Sequence, residues 1–168
     1  NFLSLDYYGH LKDRLGQLCD KYCENNVNIL DCGCGEGYYT AGICKTLEQQ
    51  GKMANIQGID ISKDAVALAA RRLPEGQFAV ASSFNLNVPD KSIDILINCF
   101  SPQALKEFYR VMKKKAVFLY VVPAPKHLWQ LKEALYETPY ENPLKEEQYE
   151  GFELIDTVKA EKEIFIES

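Results

Sequence analysis

Only two histidines occur in the 168 residues, and none of the six cysteines forms a C-x-x-C pair. Zinc sites draw on Cys and His at short, fixed spacings, so no metal is expected in this chain. No apolar run approaches the roughly 20 residues that cross a bilayer, and no signal-peptide pattern opens the sequence. No membrane partner is therefore expected. Internal repeats and low-complexity segments are absent. Positive charge is in deficit, with 19 Lys and Arg against 24 Asp and Glu and a net charge of −5. A nucleic-acid partner calls for a basic surface. The basic clusters, Arg71-Arg72 and Arg110 with Lys113-Lys114-Lys115, read as helix ends and solvated turns. The cysteines are scattered, which fits reduced thiols in a cytoplasmic protein better than a disulfide framework.

Hydrophobic residues make up 46% and charged residues 26%, as in ordinary globular proteins. The length suits one domain with a real core, read as an N-terminal helical region over 1–26 and an α/β core over 27–168. A helix is expected over 5–24, where Tyr8, Leu11, Leu15, Leu18, Cys19 and Tyr22 recur at helical steps. Strands are expected at 27–31, 54–60, 77–80, 92–98 and 115–122, alternating with helices at 38–50, 63–73, about 102–112 and about 127–136. A last strand or bent hairpin is expected over 152–166. Several strands are near-continuous apolar runs, the mark of burial on both faces. Right-handed crossovers turn this order into a doubly wound, mostly parallel sheet with helices on both faces. The chain opens at Asn1 without an initiator methionine and stops on a strand-like run, which reads as an excised fragment.

The stretch that organises the rest is Asn28-Ile29-Leu30-Asp31-Cys32-Gly33-Cys34-Gly35-Glu36-Gly37-Tyr38-Tyr39. An apolar strand ends in an acid, glycines follow at every second position, and a helix begins. Such a loop brings bare backbone close to a ligand and points N–H groups at negative charge. A dinucleotide fingerprint has G-x-G-x-x-G; here the spacing is G-x-G-x-G, which resembles motif I of the Rossmann-like S-adenosylmethionine-dependent methyltransferases. A structural strand–helix turn or another nucleotide loop is the competing reading of this stretch alone. The second part is Ile56-Gln57-Gly58-Ile59-Asp60-Ile61-Ser62. It places an acid at a strand tip roughly 20 residues past the last glycine, where a ribose-binding carboxylate is expected.

Within that superfamily the chain resembles the bacterial large-subunit (23S) ribosomal RNA guanine-N1 methyltransferases. The resemblance is carried by Leu30 to Thr40, Gly58 to Lys63, Val80-Ala81-Ser82-Ser83, Pro125-Lys126-His127-Leu128, Leu131-Lys132 and Gly151-Phe152. It implies S-adenosyl-L-methionine as cofactor, ribosomal RNA as substrate, and a zinc-binding N-terminal domain plus further C-terminal residues that are not in this sequence. The family's Pro-Gly-Gly turn before the fifth strand is replaced by Lys113-Lys114-Lys115-Ala116.

The cofactor set implied is Tyr8, Asp31, Gly33, Cys34, Gly35, Glu36, Gly37, Tyr38, Tyr39, Asp60, Ile61, Ser82, Ser83 and Asn98. Tyr8 aligns with a family tyrosine near the cofactor's amino-acid end, and its other reading is a core-facing aromatic. Ser82 and Ser83 stand where many methyltransferases hold adenine with a carboxylate. Asn98-Cys99-Phe100-Ser101-Pro102 departs strongly from the Asn/Asp-Pro-Pro-aromatic tetrad of base-methylating enzymes. There Phe100 either stacks on a base or packs in the core. The catalytic candidates are His127, Asn98 and Ser101, with His127 able to take the N1 proton or to bond the base, or else to cap a helix. The rival functions are a small-molecule methyltransferase with the same core, an NAD-type oxidoreductase domain, and a cofactor-binding fragment with little activity of its own.

Overall fold

The computed structural model describes residues 9–22, 24–143 and 149–159. The elements run α1 (Gly9–Tyr22), β1 (Val27–Cys32), α2 (Tyr38–Gln49), β2 (Ala54–Asp60), α3 (Lys63–Arg72), β3 (Gln77–Val80), β4 (Ile93–Cys99), α4 (Leu105–Val111), β5 (Met112–Val121) and α5 (Trp129–Leu135). The five strands form one parallel sheet in the order β3-β2-β1-β4-β5. The chain moves outward from β1 in one direction, then returns to lay β4 on the other side. This is the doubly wound fold expected, with its switch point between β1 and β4, where ligands bind in such sheets.

Successive side chains of a strand point to opposite faces, and the core follows that rule. Ile29, Ile95 and Ile97 meet Leu15, Cys19, Ile43 and Leu47 of α1 and α2 on one face. Leu30, Cys32 and Leu96 meet Phe108 and Val111 of α4 on the other. Gly37 lets α2 start hard against α3, because a Cβ there would press on the Ala69 backbone at 3.2 Å. Ser62 caps α3 by accepting the Ala65 N–H.

Three expectations change. The helix expected from about residue 102 is only Leu105–Val111, and β5 follows it with no connecting turn. Its pairing jumps from Ile93↔Met112 to Ile95↔Val117, so the lysine run bulges out of the ladder. Lys115 sits there at φ 70°, in the left-handed region that glycine fills without strain. Lys113 reaches back to the Asp94 carboxylate, with both contacts at 2.9 Å. The strand expected over 152–166 is not formed in its described part, 152–159. Phe152 instead packs on Phe118 and Tyr109, at centroid distances of 5.4 and 6.0 Å, and this docks the segment by a side chain rather than by a ladder. Residues 5–8 and 23 of the first expected helix, and 160–166 of the last expected strand, lie outside the described residues.

Candidate functional site

The site is built at the C-terminal tips of the strands. Register sets β1 and β2 level, with Asp31 opposite Gly58 and Cys32 opposite Ile59. The glycine loop therefore folds over the tip of β2. The N–H groups of Gly33 and Cys34 both donate to the Ile59 carbonyl, at 2.8 and 2.9 Å. The Gly35 N–H donates to Asp60 Oδ2 at 2.9 Å, and Asp60 Oδ1 accepts from Ser62 N at 2.9 Å. The loop and the acid, read separately in the sequence, thus form one crevice. Gly35 has φ 52°, and a Cβ built on it would meet nothing within 4 Å, so its backbone is bare toward open space.

Asp31 lies under this loop and is 2% exposed. Its Oδ2 accepts the Thr40 hydroxyl, while Oδ1 has no hydrogen-bond partner among the described residues. Burial raises its pKa to about 6, the Thr40 bond opposes this, and the nearby Asp60 charge adds to it. Thr40 closes the stretch that carries the family resemblance, but the sequence reading gave it no role at the site. Its signal was its place three residues past Gly37, on the first turn of α2.

The third tip is tied to the second by the Ala81 N–H, which donates to the Asp60 carbonyl at 3.0 Å. Ser82 Oγ is engaged by the Phe84 N–H at 3.2 Å, and Ser83 stands against the Cys32 thiol. Ile61, 81% exposed, and the exposed Phe84 form an apolar rim beside them. Phe84 escaped the sequence reading because it falls in a loop without periodicity.

Asn98, expected to reach cofactor or substrate, is fully buried instead. Its Nδ2 donates to the carbonyls of Cys32 and Pro102, at 3.1 and 3.2 Å. It braces the tip of β1 to the turn after β4, and Ser101 in that turn seats against the α-carbon of Gly33, where a Cβ would collide with its side chain.

Phe100 does not pack in the core. It is 44% exposed at φ 53°, and its ring stacks on His127 at 6.1 Å and 25°. Tyr39 stands 6.5 Å from Phe100, and Tyr38 stands 5.2 Å from Tyr39. A line of rings therefore runs from the glycine loop to the helix after β5. Burial, and then Lys132, lower the pKa of His127, which favours its neutral form. Tyr38 faces the cations Lys12 and Arg72, and Arg72 pairs with Glu36 at 3.6 Å. Glu36 thus faces Arg72 at the end of α3. Tyr8 lies outside the described residues.

Cys32, Cys34, Cys44 and Cys99 are free thiols, and all four are buried. Burial pushes the thiols of Cys34 and Cys44 up to about 12 and those of Cys32 and Cys99 further, so none is a ready nucleophile. Among the described residues no cluster of three or more His, Cys, Asp or Glu could hold a metal ion, and no helix is long and apolar enough to cross a membrane.

S-Adenosyl-L-methionine fits this arrangement. The bare Gly35 backbone leaves room for a ligand, the unpartnered Asp31 oxygen adds buried negative charge beneath it, and Asp60 keeps acceptor capacity beyond its two N–H partners.

Comparison with known proteins agrees. A family described as "Methyltransferase domain" matches residues 23–165. A Bacillus subtilis protein named as a 23S rRNA (guanine-N(1)-)-methyltransferase, YxjB, is 32% identical over 132 residues, covering 77% of this chain and 46% of the relative. The demethylmenaquinone methyltransferase of Thermotoga maritima is 29% identical over 108 residues, covering 59% of this chain and 45% of its own. The chain thus spans about half the length of the curated relatives it matches. A solved SAM-dependent methyltransferase of Methanosarcina mazei superposes with a TM-score of 0.56 at 25% identity, over 68% of this chain and 62% of that one. The strand order, the glycine crevice and these likenesses lead to one statement: the chain belongs to the class I, S-adenosyl-L-methionine-dependent methyltransferase-domain family.

Proposed function

We propose that this chain moves the methyl group of S-adenosyl-L-methionine to a flat, ring-bearing small molecule stacked on Phe100 and His127. Phe100 carries the proposal. A bulky residue in left-handed backbone is strained, and here the strain places a 44% exposed aromatic ring at the tip of β4, against His127 and next to the glycine loop. The net charge of −5 suits a free acceptor better than a phosphate backbone.

When bound, the cofactor supplies an electrophilic methyl group. The glycine loop would run along its methionine part, with Asp31 ordering the loop from below. Asp60 would accept from the ribose hydroxyls, and Ile61, Ser82, Ser83 and Phe84 would surround the adenine. Ser101 would wall the space between the loop and Phe100. An acceptor O–H or N–H must lose its proton as the methyl arrives, and neutral His127 would take it at its unprotonated ring nitrogen. Alignment of the two reactants supplies the rest.

A second reading, N1 of a guanine in large-subunit ribosomal RNA, is supported by the likeness to YxjB. A guanine would use the same stack, flipped out of its helix, and parts of a longer protein would have to supply the basic surface. Methyl transfer from tritiated cofactor distinguishes the two. A panel of free phenols and hydroquinones is run beside 23S ribosomal RNA that lacks guanine-N1 methylation. Label in small molecules and not in RNA is the expected result. Label only at guanine N1 makes the second reading the correct one.

A further inference from the structure

Helix α5 buries none of its residues. Its leucines are nonetheless patterned: Leu131 and Leu135 are four residues apart and so share one face, and Leu128, just before the helix, lines the same groove. That face stays open, and Leu135 is 67% exposed. Beside it runs a groove of about 210 Å³, walled by Pro123, Leu128, Leu131, Leu135 and Tyr136, with His127 among its lining residues. His127 therefore belongs both to this groove and to the stack on Phe100. Apart from His127, the polar side chains of the groove, Lys132 and Asn142, are engaged with each other and with nearby carbonyls. Lys132 Nζ donates to Asn142 Oδ1 at 2.9 Å and to the Tyr140 carbonyl at 3.0 Å, and Asn142 Nδ2 donates to the Ala124 carbonyl at 2.9 Å. What remains for a ligand is hydrocarbon surface. The groove is smaller than the roughly 300–1,000 Å³ of a whole small-molecule site, so it suits one part of a ligand.

We infer that the acceptor carries an apolar tail, which lies in the groove along α5 while its ring rests on Phe100. This inference rests on the ring-acceptor reading above. A ring platform that shares a residue with an apolar trough matches a molecule with a flat head and a hydrocarbon chain. A nucleic-acid acceptor would instead bring phosphate to a wall of leucines, where the one lining lysine, Lys132, already donates to Tyr140 and Asn142.

The probes are 4-methylphenol, 4-butylphenol and 4-hexylphenol, titrated into the full chain saturated with S-adenosylhomocysteine. The readout is fluorescence of Trp129, the single tryptophan, which opens α5. Affinity should rise by up to about fourfold per added methylene. Leu131→Asp and Leu135→Asp should each flatten that rise, leaving 4-methylphenol binding and the calorimetric affinity for S-adenosylhomocysteine unchanged. Both side chains are exposed, so neither change threatens the fold. Equal affinities across the three phenols, or a rise that survives in both variants, overturns the inference. Phe100→Ala tests the parent reading by itself, through weakened 4-methylphenol binding. Ring binding without a chain-length gain defeats the tail alone, and a gain that ignores Phe100 defeats the ring placement alone.

Discussion

Asp60 and Asp31 are both acids at strand tips, yet their surroundings set them different tasks. Asp60 is half-exposed and holds the loop through Gly35 and the start of α3 through Ser62, with lone pairs left for a diol. Charge-assisted bonds of that kind contribute roughly 1.5–3 kcal/mol each. Asp60→Ala should therefore weaken S-adenosyl-L-methionine binding by about tenfold to a few hundredfold, read by calorimetry. Asp31 is buried, and its pKa rises from 3.8 to about 6. The folded state then holds its proton more tightly than the unfolded state, so the contribution of Asp31 to stability is greatest below about pH 4 and falls as pH climbs to about 6. At roughly 1.4 kcal/mol per pH unit the loss is about 3 kcal/mol. Urea unfolding at pH 4 and pH 7 should show this loss in the native chain, and Asp31→Asn should remove it.

At the scale of elements, the site depends on how β1 and β4 are locked together at their tips. Asn98 ties the end of β1 to the turn that carries Ser101. Asn98→Ala strands two carbonyls in a dry place, at a cost of about 1–3 kcal/mol, and should lower the midpoint of thermal unfolding. Because the brace acts through position, the variant should also weaken cofactor binding, by less than Asp60→Ala does. The same scale marks where sequence patterning stops being informative. The apolar runs of β1, β2 and β4 announce buried strands, and the alternation of acid and glycine announces the loop. The lysine run before β5 carries no such signal. Its bulge exists because Met112 and Val117 both find partners on β4, and the three intervening lysines are left to accommodate the excess.

Taken whole, the molecule gathers its candidate site from the tips of neighbouring strands, β3, β2, β1 and β4. A ligand that joins them stabilises the entire fold by mass action. At a hundred times its dissociation constant, S-adenosyl-L-methionine should add about 2.7 kcal/mol. For a chain of this size that raises the unfolding midpoint by about 5–11 °C, whereas NAD should leave it unchanged. A thermal shift with both ligands checks this, and an equal response to NAD would remove the methyl-donor assignment of the crevice.

Local chemistry was enough to set out the strand–helix alternation, the glycine loop, the acid-tipped second strand and hence the class of cofactor, because each rests on residue type and spacing within a short stretch. Tertiary structure alone decided that Asn98 braces β1 to the turn after β4, that Phe100 faces outward onto His127, that Thr40 answers Asp31, and that 152–159 dock by Phe152. Those outcomes depend on which distant segments share a face, and on how much room the sheet leaves them. No periodicity in a single chain records either quantity.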